Sequence, residues 1–314
     1  MPIRKRFAHG ARALLTAPII VAEWDAIRGR TPSTRAGATR FLNDISNSTH
    51  GRGLEFANQL IGILRRNETR QFDRARENES TNSSSQHGGK VDRVVQELRE
   101  VGRSRVDAFI PRHVAESIAS DIRNMPGRCD LDPRSYPSLF DWRANSAAEP
   151  RFHTSRSSLQ AHDQIIDLTR SRFVLEVARE YLGVSPLLAS LQSWTTRPPA
   201  RTDPNVLDAA AMAYHCDSDF FGFLKFFVLL TEVRPENGPF TFVERSHRGI
   251  RHVAGRMPDT EIVGLSDIEF LGVGLPGDLL IVDTKGWHKA TPPIVGERTM
   301  LQFVFASSLF GAPT

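Results

Sequence analysis

From Leu187 to the C-terminus the chain is written in short apolar runs of five to ten residues with turns between them, and this pattern constrains the fold most. Runs of that length, bounded by Gly, Pro and Asn, read as strands of an all-β sandwich or barrel. One of them, Phe223-Leu-Lys-Phe-Phe-Val-Leu-Leu230, is almost continuously apolar, as expected of a central strand buried on both faces. Its exception is Lys225. A buried ammonium must be paired or face a polar cavity, so Lys225 is either half of a structural ion pair or a group that meets an anionic substrate or co-substrate. The turn signal Asn237-Gly238 leads from this strand into the run 239–244, which reads as the second arm of a hairpin. Gly277-Asp278 opens the strand 279–282. In the last strand, 298–306, Arg298, Met300, Gln302 and Val304 share one face, opposite Thr299, Leu301, Phe303 and Phe305. The polar face fits a wet cavity and the aromatic face fits packing against helices. Gln192 and Trp194 share a face of the strand 187–196 that reads as reaching the same cavity, with ordinary core an equal reading for Trp194.

Within this β region His215 and Asp217 stand two residues apart in a segment that reads as a strand, so their side chains point to one side. An imidazole and a carboxylate aimed into one cavity are two adjacent ligands for a divalent metal. A third is expected from His288, in Gly286-Trp-His-Lys289 just past the end of a strand. Two His and one carboxylate on one side of a metal leave the opposite positions open, the arrangement of non-haem Fe(II) oxygenases. Arg298 follows ten residues after His288 and opens an apolar strand, where a guanidinium can grip a carboxylate bidentately. Metal triad and buried Arg together are equipment for 2-oxoglutarate. His247, in Ser246-His247-Arg248, is a rival third ligand, but it lies too close after the preceding turn to enter the cavity as His288 would. His153 and His162, in an aperiodic stretch from Tyr136 to His162, read as pocket-lining or plain surface residues.

Taken in order, His215-Cys-Asp217, the apolar strand to Val233, Glu236-Asn-Gly-Pro-Phe240, Glu244-Arg-Ser-His-Arg-Gly249, Gly277-Asp-Leu-Leu280, His288 and Arg298 resemble the phytanoyl-CoA dioxygenase family of Fe(II)/2-oxoglutarate oxygenases. The resemblance covers roughly the last two thirds of the chain. It implies a mainly β fold with flanking helices, a double-stranded β-helix (jelly roll, cupin-like). It also implies a dioxygenase that holds Fe(II) through His215, Asp217 and His288 and binds 2-oxoglutarate with Arg298 on its far carboxylate. Such an enzyme consumes O2, hydroxylates an unactivated C–H bond of a small-molecule or lipid-like substrate, and releases succinate and CO2. Related halogenating enzymes replace the carboxylate ligand with a small residue, so Asp217 points to hydroxylation. The family often carries Ser or Asn just after the distal His to help hold the co-substrate. Here Lys289-Ala290-Thr291 follows, and Thr291 is the candidate for that contact, beside Gln192 and Lys225. Two other classes stay open: a cupin-like Zn(II) or Mn(II) hydrolase or isomerase, in which the metal activates water, and a jelly-roll binding protein without turnover.

The N-terminal third reads differently. Of the basic side chains 15 lie in residues 1–91 against 8 acidic ones, while 92–314 carry 25 and 28, so the basic excess belongs to the first part. Arg4-Lys-Arg6 followed by 11–22 mimics a signal peptide, but Arg12 and Pro18 interrupt the apolar run and no small-residue cleavage site is evident. Leu54, Ala57, Leu60, Ile61 and Leu64 recur at helical spacing, predicting an amphipathic helix from Gly53 to about Arg76, paired with a shorter one around Phe41, Leu42 and Ile45. The run 77–89 has no apolar residue to bury and reads as a flexible linker, with His87 a solvated residue. The expected organisation is a basic helical extension over 1–76, a linker over 77–90 and a dioxygenase domain over 91–314. No residue before Lys90 is needed for the metal or co-substrate site, so the extension reads as dispensable for chemistry. Its apolar stripe needs a partner: the outer helices of the domain, a second copy or an anionic surface. Cys129 and Cys216 are too few for a disulfide scaffold, which suits a reducing cytoplasm. A small-molecule substrate and no nucleic acid are expected as partners.

Overall fold

The apolar runs beyond Leu187 are strands, and they close on one another as two antiparallel sheets. The computed structural model describes residues 24–49, 51–79, 85–130, 134–145, 150–199, 212–248, 256–257, 262 and 268–313. In chain order the described elements are α1 (Trp24–Ile27), α2 (Arg35–Thr49), α3 (Arg52–Leu64), α4 (Arg66–Glu79), α5 (Ser85–Val101), β1 (Arg103–Val106), α6 (Arg112–Arg123), β2 (Gly127–Cys129), β3 (Ser135–Tyr136), α7 (Leu139–Asn145), β4 (Arg151–Thr154), α8 (Arg156–Gln160), α9 (Asp163–Arg170) and α10 (Arg172–Leu182). After these come β5 (Leu187–Thr196), β6 (Tyr214–His215), β7 (Phe223–Leu229), β8 (Phe240–Val243), β9 (Arg256–Met257), β10 (Glu269–Leu271), β11 (Leu279–Val282), β12 (His288–Ala290) and β13 (Arg298–Ala306). The larger sheet has the order β1-β11-β7-β13-β5-β4-β2-β3, and the smaller β10-β8-β12-β6-β9. This is a double-stranded β-helix with helices on the outer face of the larger sheet.

Strand periodicity decides which side chains face which layer. Leu224, Phe226 and Val228 of β7, with Leu301, Phe303 and Phe305 of β13, pack outward against Val94 and Leu98 of α5, Ile118 and Ile122 of α6 and Val174 and Val177 of α10. Their alternates Phe227, Leu229 and Met300 pack inward against Phe240 and Phe242 of β8, so β7 is buried on both faces as its composition predicts. The expected hairpin between β7 and β8 does not form. β8 pairs with β10 and β12 in the smaller sheet, and the Asn237-Gly238 turn carries the chain from one sheet to the other. Gly238 is required there: its φ is +70°, and a Cβ would stand 2.3 Å from the Thr291 carbonyl oxygen. α10 is capped at both ends, with the Ser171 hydroxyl accepting from the Val174 N–H and Gly183 at φ 74° ending it. The aperiodic stretch after Tyr136 contains α7, β4 and α8, short elements whose aromatics Trp142 and Phe152 are buried together with Tyr136. Tertiary packing holds these pieces, which are too short to display a period.

The N-terminal helices lie on the β domain. Phe41, Leu42 and Ile45 of α2 and Leu54, Ala57 and Ile61 of α3 form one apolar cluster with Phe221 and Phe310 from the β region. The single helix expected from Gly53 to Arg76 is broken at Arg65, which is 2% exposed and donates to the carbonyls of Ser185 and Ser307 at 2.9 and 2.8 Å and to the Ser185 hydroxyl at 2.8 Å. The proposed linker is also narrower than its composition suggests, since α4 runs to Glu79 and α5 begins at Ser85. Residues 1–23, which hold the leader-like run, lie outside the described residues, as do 80–84, 200–211 and the His87 side chain. Among the described residues no helix is long and apolar enough to cross a membrane. Cys129 and Cys216 form no disulfide.

Candidate functional site

His215 and His288 are brought together by strand pairing. They are direct partners in the register of β6 and β12, so both rings leave the sheet on one side, with centroids 4.2 Å apart. β6 ends at His215, so Asp217 is not on a strand as the spacing suggests; its N–H donates to the Thr284 carbonyl at 2.9 Å, which fixes the turn that aims the carboxylate back. Asp217 Oδ2 lies 3.2 Å from His288 Nε2, and Oδ1 lies 3.8 Å from His215 Nε2. One ligand atom from each of the three falls within 4.8 Å of the others.

The two imidazoles are oriented by the same device. His215 Nδ1 meets the Ala213 carbonyl and His288 Nδ1 the Gly286 carbonyl, each at 2.9 Å. A carbonyl only accepts, so each Nδ1 carries a proton and each Nε2 faces the space beside Asp217, where a metal would bind it in place of a proton. Burial alone would raise the Asp217 pKa, but Lys225, His288 and His215 outweigh it and hold the carboxyl well below the usual range. Lys225 donates to Asp217 Oδ2 at 2.6 Å and to Asp219 Oδ2 at 2.9 Å. Burial opposes its charge, yet the two carboxylates raise its pKa. It is therefore the ion-pair member of the two readings, placed against the triad. Burial, then Asp217 and Asp283, push the Cys216 thiol up.

A cavity of about 280 Å³ opens beside the triad. Gln192, Trp194 and Lys225 line it, with Gln302 and Val304 from the expected face of β13, and so does His153. Arg298 and Thr291 do not. Arg298 is on the same face of β13 but 1% exposed; its Nη1 donates to the Gly238 carbonyl, its Nε has no partner, and it forms no ion pair among the described residues. Burial first, and the Arg151 charge second, push its pKa down to about 10, so it remains a cation at neutral pH. The Thr291 hydroxyl is joined to that of Thr241 at 2.7 Å. His247 bonds the Arg99 carbonyl at 3.4 Å and His162 pairs with Asp121 at 3.1 Å, both away from the triad.

Several cavity residues were not anticipated. Asp219 continues the two-residue spacing of His215 and Asp217 and was open to the same reasoning. Arg151 lines the cavity while its guanidinium is held on Asp130 at 2.8 Å, a carboxylate shared with His153 Nε2 at 2.8 Å. Arg35 and Thr39 arrive from α2, so the extension contributes to the cavity wall, although none of its residues is among the metal triad. No signal in the sequence joins Arg35 to His215; only docking of α2 does.

The donor set fits a divalent metal: two Nε2 atoms and a carboxylate, all preset in direction, with a buried guanidinium on the β13 strand of the same cavity that has no ion-pair partner among the described residues. No family model matches the chain, and no curated protein matches it. Solved structures with a similar course of chain include the epimerase SnoN in complex with Fe3+, alpha ketoglutarate and nogalamycin RO, at 17% identity over 69% of this chain and 84% of that one, TM-score 0.49. HygX from Streptomyces hygroscopicus with nickel and 2-oxoglutarate bound is similar at 13% identity over 68% and 86%, TM-score 0.49. The alpha ketoglutarate dependent carbocyclase SnoK is similar at 13% identity over 72% and 85%, TM-score 0.46. At this distance neither a residue role nor a reaction passes from those proteins to this chain.

Proposed function

We propose that this chain is an Fe(II)- and 2-oxoglutarate-dependent dioxygenase that hydroxylates a C–H bond of a small-molecule or lipid-like substrate. The observation that carries the reading is that the smaller sheet brings a triad together with its Nε2 atoms turned inward, while β13 of the larger sheet carries a buried guanidinium without a counter-ion among the described residues. Leaving a cation desolvated and unpaired costs several kcal/mol, and a distal carboxylate of the co-substrate would remove that cost. His215 and His288 would bind Fe(II) through Nε2 and Asp217 through a carboxylate oxygen. Bound there, the iron supplies O2 activation coupled to the conversion of 2-oxoglutarate to succinate and CO2.

The protein's part is to orient and to exclude. Lys225 occupies one Asp217 oxygen, which limits the carboxylate to a single oxygen for the metal and keeps other positions open. Arg298, which does not line the cavity and is held on the Gly238 carbonyl, would turn toward the cavity to receive the far carboxylate. The amides of Gln192 and Gln302, direct partners in the β5–β13 register, would supply hydrogen bonds within it. Thr291, tied to Thr241, supports the strand that carries His288. Trp194, Phe227 and Phe240 form an apolar wall that keeps water from the reacting carbon. Two cysteines without a disulfide and a need for reduced iron suit the cytoplasm.

The test is calorimetric titration of the full chain with 2-oxoglutarate under anaerobic conditions, with and without Fe(II), followed by succinate assay on admitting O2. The reading requires binding that depends on the metal and succinate that depends on O2. Metal-dependent hydrolysis without 2-oxoglutarate consumption would instead establish a Zn(II) or Mn(II) hydrolase.

A further inference from the structure

We propose that α2 is the substrate-selecting wall of this cavity, and that Arg35 receives a carboxylate or phosphate group of the substrate at its mouth. The inference rests on the oxygenase reading and names the substrate class for that same site. Its basis is a stripe on one helix. Arg35, Thr39 and Asn43 recur every fourth residue and so share a face of α2. The first two line the cavity, and Asn43 accepts a hydrogen bond from the hydroxyl of Ser218, the residue next to Asp217. Ala38, Phe41, Leu42 and Ile45 are buried elsewhere on the helix with Phe221 and Phe310, and the Ser33 hydroxyl just before it accepts from the Gly311 N–H. The helix is thus held just before its start, at Asn43 and along its apolar face to segments that border the cavity.

The charges of the wall single out Arg35. Lys225 is matched by Asp217 and Asp219, and Arg151 by Asp130. Fe(II) and Arg298 together carry three positive charges, which the Asp217 carboxylate and a doubly charged 2-oxoglutarate offset; Lys225 then remains balanced by Asp219. Arg35 is left over. It forms no ion pair among the described residues, and it is an exposed residue that lines the cavity. A guanidinium in that place favours an anionic group by charge and by its planar fork of donors. Thr39, one turn further in, adds a hydroxyl that either donates or accepts.

The experiment uses the full chain and its R35Q, R35E and R35K variants. Co(II) and 2-oxoglutarate binding are measured first by calorimetry and are expected to be equal in all four. Failure of the wild type to bind 2-oxoglutarate with metal would defeat the oxygenase reading, whatever Arg35 does. A small-molecule cell extract is then split on an anion exchanger, and each fraction is tested for stimulation of succinate formation over the fraction-free rate. Stimulation is expected from the retained fraction, and a phosphatase-treated portion of it distinguishes phosphate from carboxylate. R35Q should need roughly ten- to a hundredfold more of that fraction for half-maximal stimulation, the loss of a charge-assisted contact, with the saturated rate little changed. R35E should need more still, and R35K should recover part of the loss. Stimulation confined to the unretained fraction, no stimulation by the retained one, or an R35Q response equal to wild type overturns the proposal.

Discussion

Replacing Arg65 with Met should detach the helical layer that carries Arg35 from the β domain, and the structure sets the size of the effect. Arg65 is buried at the break between α3 and α4, and its Nη1 donates to two carbonyls, Ser185 at 2.9 Å and Ser307 at 2.8 Å, while Nη2 donates to the Ser185 hydroxyl at 2.8 Å. The fourth contact, Nε to Glu68 at 2.8 Å, involves a carboxylate that is largely exposed and contributes little. Methionine fills a similar volume but donates nothing. Two buried carbonyls are then left without partners, at about 1–3 kcal/mol each, while the Ser185 hydroxyl rotates to another acceptor. A loss of about 3–5 kcal/mol is expected, a large part of the roughly 5–15 kcal/mol that holds a typical domain. Urea unfolding gives the total. Hydrogen exchange gives the location, because undocking of α2–α4 alone would raise exchange there before the strands respond. Arg65→Lys keeps the charge and restores part of the stability. A loss below about 1 kcal/mol for Arg65→Met, or protection unchanged in α2 and α3, would refute the assignment of Arg65 as the clamp.

Three further outcomes follow from the site. Arg298→Ala should raise the 2-oxoglutarate dissociation constant about ten- to a hundredfold while Fe(II) binding is retained; unchanged affinity in calorimetry would move the carboxylate contact to another cation. Asp217→Ala should abolish Fe(II)-dependent 2-oxoglutarate binding and substrate hydroxylation while circular dichroism stays that of the wild type; normal activity would mean the triad is wrongly assigned. Acid should weaken the wall around His153 in two stages. Burial chiefly lowers the His153 pKa, so the unfolded chain takes up the proton first and stability falls as pH drops below about 6.5. Asp130 is lowered by His153 and Arg151 against the opposing effect of burial, so its contribution is present above about pH 4 and is lost as pH falls through the lower folded value. His153→Gln should flatten the first stage in urea titrations, and an unchanged slope there would exclude His153 as its source.

The parts of the fold that were legible are those in which a period and a partner coincide. β13 alternates polar and aromatic side chains because one face meets the cavity and the other meets helices, and that alternation is written in the residues themselves. The hairpin after Leu229 was misread because a turn signal reports a reversal of the chain without saying in which sheet the next strand pairs. α7, β4 and α8 were illegible for a different reason: their order comes from Trp142 and Phe152 finding one another in space. In the site, His215, Asp217 and His288 were legible from residue type and spacing, although Asp217 reaches its place from a turn held by the Thr284 carbonyl and not from a strand. Lys225 stood out as a charge in an apolar run, yet which charge answered it depended on the turn through Asp217 and Asp219.

The helical spacing of α2 and α3 established that these helices bury a face, and it carried no information on what that face covers. Phe221 and Phe310 cover it, and their positions explain the consequence. Phe221 stands four residues after Asp217, and Phe310 lies in the C-terminal segment whose Gly311 and Pro313 border the cavity. An apolar face that packs on those two rings sets its adjoining polar stripe, Arg35 and Thr39, on the wall of the cavity beside the triad. Core packing and access to the site are therefore fixed by one contact surface. A change that loosens the first, such as Arg65→Met, should alter the second even though no ligand or co-substrate residue is touched.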